Sequence, residues 1–62
     1  MNRYTESLIK ARDCAGMAVM DIREALEHAE LLESLVLSDA MKDVVAAHDR
    51  LCRLVSAMEG SS

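Results

Sequence analysis

The stretch YTESLIKARDCAGMAVMDIREALEHAELLESLV, residues 4–36, decides the fold. Its apolar positions recur at alternating steps of four and three: Tyr4, Leu8, Ala11, Ala15, Ala18, Ile22, Ala25, Ala29, Leu32 and Val36. That rhythm is the mark of an α-helix presenting one continuous seam to a partner helix. With Leu8, Ala15, Ile22, Ala29 and Val36 as the a row, the d row is Ala11, Ala18, Ala25 and Leu32. Val19 and Leu26 widen the stripe at e. Asn2 is placed as an N-cap, so the spacing predicts a helix from about residue 3 to about residue 36. A split at Gly16 into shorter helices is the weaker reading, because an isolated glycine costs a helix only about 1 kcal/mol.

The remainder of the chain reads as a second helix. Ser38 is a candidate N-cap, and Asp39 falls in the first turn, where the helix dipole favours an acid. The apolar face is Met41, Val44, Val45, His48, Leu51, Cys52, Val55 and Met58, extended by Ala40, Ala47 and Leu54. Gly60 is a C-terminal stop signal, and the tail from 60 to 62 is expected to fray. The expected organisation is a single helical hairpin over 1–62: helix 1 at about 3–36, a turn at about 37–38, and helix 2 at about 39–59. A link this short makes the helices antiparallel neighbours.

Such a turn pairs residues whose numbers add to about 75, and this has three consequences at a rise of about 1.5 Å per residue. About the first 14 residues run past the end of helix 2 as an overhang of roughly 20 Å. Cys14 and Cys52 stand about 13 Å apart along the axis, too far for a disulfide within one hairpin. His28 and His48 fall near the same level.

The overhang and the broad apolar face of helix 2 need cover, and the chain has few other means of stabilising itself. At 62 residues it forms one domain at most. Below about 70–80 residues a single core rarely supplies more than about 3–5 kcal/mol, so small scaffolds add a disulfide, a metal or another subunit. Two cysteines do not make a disulfide framework. The expected solution is a second copy, giving an all-α four-helix bundle in which Tyr4, Leu8, Ala11, Ala15, Ala18 and Ile22 form the self-association surface.

Composition narrows function by exclusion. The chain lacks proline, phenylalanine and tryptophan, and its net charge is −4. Residues 21–33 carry Asp21, Glu24, Glu27, Glu30 and Glu33 against Arg23, an acidic belt as large as the whole net charge. That balance disfavours nucleic-acid backbones and anionic membranes as partners. The longest apolar run, Ala15–Met20, is too short to span a bilayer, and the first residues show no apolar signal segment. A reducing cytoplasm is the expected compartment.

Chemistry-bearing groups are sparse. Glu24, His28 and His48 are the nearest approach to a metal cluster, but no second carboxylate is placed beside them, so neither metal nor cofactor is expected. Cys14 and Cys52 read as small core hydrophobes, and no Cys–His arrangement is expected. No phosphate loop, metalloprotease motif or CxxC pair occurs, so the chain is not expected to be an enzyme. Ile9, Met17 and Met20 fall off the seam around Gly16 and are the candidate surface for another protein, methionine being suited to adaptable contacts.

The leading expectation is therefore a small non-enzymatic binding module of the adaptor, chaperone-like or inhibitor kind, self-associating and acting on another protein. The alternatives are a purely structural self-assembling protein and an RNA-binding regulator. In size and hairpin architecture the chain resembles the plasmid copy-number proteins of the Rop type. That resemblance implies RNA binding through a bundle face, with Arg3, Lys10, Arg12, Arg50 and Arg53 as the cations. Tyr4 is the one aromatic side chain able to stack on a base.

Overall fold

The computed structural model describes residues 2–60 as two α-helices packed side by side, with no strand among them. Helix α1 spans Arg3–His28 and α2 spans Leu31–Gly60. The hairpin is a rod with principal extents of 47 × 14 × 13 Å.

Both helix starts follow from local hydrogen bonding. At α1, the Asn2 side-chain Oδ1 accepts from the Thr5 backbone N–H at 2.8 Å, which satisfies one of the orphan donors of the first turn. Asn2 is extended, at φ −88° and ψ 170°, as an N-cap requires. At α2, the Glu30 carbonyl accepts from Ser34 N–H at 2.8 Å, and the Glu33 carboxylate accepts from Glu30 N–H at 3.1 Å. Glu33 thus reaches back to the cap residue as the third residue of a capping box does. Between the helices, Ala29 is extended at φ −82° and ψ 148°, and its N–H still donates to Leu26 O at 3.4 Å.

The turn therefore lies at 29–30, not at 37–38, and Ser38 sits inside α2 as an exposed residue rather than as its cap. The reason is packing. Helices of 26 and 30 residues are nearly matched in length, so α1 is covered throughout and only about the first five residues of α2, beyond the level of His28, lack a partner. A turn at 37–38 would leave about 14 residues without an intrachain neighbour. Each large aliphatic side chain so uncovered forfeits about 1.5–3 kcal/mol, whereas a serine cap contributes about 1 kcal/mol. The predicted overhang does not exist. Gly60 is the last helical residue of α2, no glycine among the described residues has positive φ, and 61–62 lie outside the described residues.

The seam is a heptad ladder on both helices. On α1 the half-buried positions include Leu8, Arg12, Ala15, Val19, Ile22 and Leu26; on α2 they include Leu37, Met41, Val44, His48, Leu51 and Met58, together with buried Val55. Steps of four and three run through both rows, as expected for antiparallel helices sharing one interface. On α1 the seam uses the a and e rows, whereas the spacing predicts an a/d seam. Ala11 and Ala25 of the d row are exposed, and Val19 and Leu26 of the e row face inward. Larger e-row side chains bury more apolar area than alanines, so the helix turns that edge to its neighbour. Arg12 takes one seam position, its stem half-buried and its guanidinium 3.3 Å from Asp13.

One observation fixes the level of the two helices: a Cβ built on Gly16 would stand 3.3 Å from His48 Nε2. Residues whose numbers add to about 64 are therefore abreast, rather than about 75. His28 lies about 18 Å further along α1 than the level of His48, so the two histidines do not meet. Cys14 and Cys52 come to nearly the same level, yet both are free, with Cys14 on the exposed side of α1 and Cys52 half-buried.

Candidate functional site

Two helices cannot enclose a core, and the burial pattern shows it. Among the described residues Val55, at 1% exposure, is the one buried side chain. Every other seam residue keeps one edge in solvent. Around the seam the hairpin presents two broad faces, and helical periodicity decides which residues share each.

The first face joins Tyr4, Ala11, Ala18 and Ala25 of α1 to Leu32, Val36, Ala40, Ala47 and Leu54 of α2. Its middle is alanine and its ends are large. Near the turn it sinks into a solvent-open groove of about 660 Å³ lined by Ala25, Ala29, Leu32, Val36 and Leu37, with His28 and Glu33 at its edge. Leu31, Leu32, Leu35 and Val36 are each between 62% and 78% exposed, the densest run of uncovered aliphatic surface on the molecule. The second face carries Ile9, Gly16 and Met20 of α1 with Met41, Val45 and Cys52 of α2.

The predicted self-association set divides between two roles. Leu8, Ala15 and Ile22 are half-buried in the intrachain seam, while Tyr4 and Ala11 stand exposed and Ala18 lies at the seam's edge on the first face. The predicted partner set is also divided. Met17 and Met20 are 64% and 70% exposed and Ile9 is half-buried. Ile9 and Met20 share the second face, and Met17 lies further round the helix.

Two ionic contacts among the described residues are exposed. Arg12 pairs with Asp13, and Arg53 pairs with Asp49 one turn away. Contacts of this kind contribute about 0–1 kcal/mol. The acidic belt is exposed throughout, and the turn at 29–30 splits it: Asp21, Glu24 and Glu27 lie on α1, Glu30 in the link and Glu33 on α2. The fold also sorts charge by position. Arg3, Lys10, Arg12, Arg50 and Arg53 gather in the open half of the hairpin, where the termini lie. Glu6, Asp13, Asp49 and Glu59 accompany them, so that half is nearly neutral.

The expectation that no cysteine has a histidine at helical spacing is corrected for Cys52. His48 lies one turn before it, and the Cys52 Sγ is 3.6 Å from Nε2 and 4.0 Å from Nδ1 of the ring. The i, i+4 spacing was the signal for this pair. Its geometry suits a thiol donating to an imidazole nitrogen beside the Gly16 notch. No group of three or more His, Cys, Asp or Glu among the described residues is placed to hold a metal ion. No helix among the described residues is long and apolar enough to cross a membrane.

Comparison of the chain with known protein families, curated proteins and solved structures gives no match.

Proposed function

We propose that this chain is a self-associating interaction module: two hairpins close their alanine-centred faces into a four-helix bundle, and the opposite face holds another protein. The observation that carries this reading is the area left uncovered. A compact monomer of 6.8 kDa exposes about 4,000 Å² by the scaling of surface with mass, whereas this chain exposes 4883 Å². The excess of about 900 Å² is close to the roughly 800 Å² that one partner contributes to a standard protein interface. The radius of gyration agrees, at 14.3 Å against about 11 Å for a compact chain of this length.

A second copy is the occupant that fits the first face. Alanines at Ala11, Ala18, Ala25, Ala40 and Ala47 allow close approach of helix backbones, and Leu32, Val36, Leu54 and Tyr4 supply large side chains at the ends. The second face then stays on the outside of the bundle. Ile9, Met20, Met41 and Val45 make it apolar and deformable, which suits the apolar side of an amphipathic helix. The gathered cations do not favour RNA as the partner, because acids accompany them and Arg12 and Arg53 are already paired.

The test has two parts. Sedimentation equilibrium should show a dimer. The tagged chain purified from its source cells should then carry a stoichiometric protein that Met20→Lys releases without changing the dimer mass. A strictly monomeric chain contradicts the first part. An unchanged companion in the Met20→Lys variant contradicts the second.

A further inference from the structure

The hairpin is electrically polar along its length, and this bears on how two copies would lie. The half nearest the turn, residues 17–46, holds Asp21, Glu24, Glu27, Glu30, Glu33, Asp39 and Asp43 against Arg23 and Lys42, a net charge of −5. The open half, made of residues 2–16 and 47–60, holds Arg3, Lys10, Arg12, Arg50 and Arg53 against Glu6, Asp13, Asp49 and Glu59, a net charge of +1. The turn at 29–30 creates this polarity, because it lays the basic start of α1 beside Arg50 and Arg53.

We infer that the two copies pack antiparallel, with their turns at opposite ends of the bundle, so that the acidic turn half of each lies on the open half of the other. The inference rests on the self-association proposed above. Packing with both turns at one end would set −5 against −5 along half the interface, and like charges juxtaposed across an interface are strongly disfavoured.

The level of the helices makes the match specific. With Gly16 abreast of His48, Asp43 stands level with Asp21, and Arg53 stands level with about residue 11, next to Lys10. A two-fold axis at mid-length exchanges those two levels. Lys10 of one copy then faces Asp21 of the other along one rim of the shared face, and Arg53 faces Asp43 along the opposite rim. The same axis brings Tyr4 of one copy level with Val36 of the other, so the aromatic side chain meets the groove lined by Ala25, Ala29, Leu32 and Val36. Parallel packing would instead oppose groove to groove and Tyr4 to Tyr4, leaving the groove unfilled.

The test places one spin label at the turn, at Glu30→Cys in the full chain carrying Cys14→Ser and Cys52→Ala, and measures the distance between labels by pulsed electron paramagnetic resonance. Antiparallel packing predicts a distance of about 40 Å or more, the length of a helix of this size. A distance under about 20 Å, set by neighbouring helix axes, overturns the inference while leaving the dimer standing. A monomer by sedimentation, with no distance between labels, removes the self-association on which the inference depends. An independent check uses charge reversal in the unlabelled chain. Lys10→Glu should weaken the dimer about fivefold, in the range of exposed ion pairs counted twice per dimer, and adding Asp21→Lys should restore it. Failure of the second change to restore affinity also overturns the antiparallel pairing.

Discussion

Val55 shows how little core this chain has and how much rests on it. With 1% of its surface exposed, it is the one described side chain whose removal leaves a cavity rather than a dent. Val55→Ala loses two buried carbons and the contacts around them, a cost of about 2 kcal/mol. For a scaffold of this size that is about half of the expected stability, so urea denaturation should show a large fall in midpoint. Gly16 makes a finer test. A Cβ there meets His48 Nε2 at 3.3 Å and Cδ2 at 3.6 Å, contacts with the far end of a half-buried ring that can tilt away. The gain in helix propensity, about 1 kcal/mol, outweighs that small adjustment. Gly16→Ala should therefore raise the melting temperature by a few degrees. Gly16→Leu should lower it, because a branched side chain pushes the helices apart. Equal effects of the two variants would contradict the packing of His48 on Gly16.

At the scale of the helices, the sequence makes the kind of element plain and leaves its boundary open. The step of four and three in Leu8, Ala15, Ile22 and Ala29 is helical whatever it packs against, and the Asn2 cap lies where its side-chain chemistry places it. The turn is another matter. Ser38-Asp39 carries the usual start signals, and Ala29-Glu30 carries only the glutamate three residues on, Glu33, because a glutamate seldom caps and no glycine or proline marks the link. What selects 29–30 is the near match in length of the helices it creates, 26 and 30 residues, a property of the whole hairpin that no local window contains. The row chosen for the seam is decided in the same way: Val19 and Leu26 turn inward once there is a partner to bury them against. The capping geometry gives a direct check. Glu33→Ala removes the acceptor for the Glu30 N–H and should destabilise the hairpin by about 0.5–1 kcal/mol. Ser38→Ala, inside α2, should be neutral or slightly stabilising, as alanine is the better helix former. A turn at 37–38 would reverse that order, and thermal melts of the two variants distinguish the outcomes.

For the whole molecule, what was legible in the sequence was the need for cover. A chain of 62 residues whose apolar positions outnumber those that one hairpin seam can bury points to association by its size and patterning alone. The surfaces proposed to meet were less legible. Leu8, Ala15 and Ile22 are half-buried within the chain, and the face proposed to receive a second copy is built from Tyr4, Ala11, Ala18 and Ala25 with Leu32, Val36 and Leu54. Residue spacing along one helix cannot show a face shared by two, which is why the α2 half of that surface emerges with the fold. The separation of charge between the ends was hidden for the same reason, since it depends on where the turn brings Arg50 and Arg53. The most direct test of the account is sedimentation equilibrium over a wide concentration range under reducing conditions, on the natural chain and on Ala25→Glu. Ala25 is exposed in the hairpin and lines the groove, so the variant should keep its helicity. The natural chain is expected to sediment at twice its 6.8 kDa mass, and Ala25→Glu to dissociate at least tenfold more readily. A helical natural chain that remains at 6.8 kDa at every concentration would contradict it.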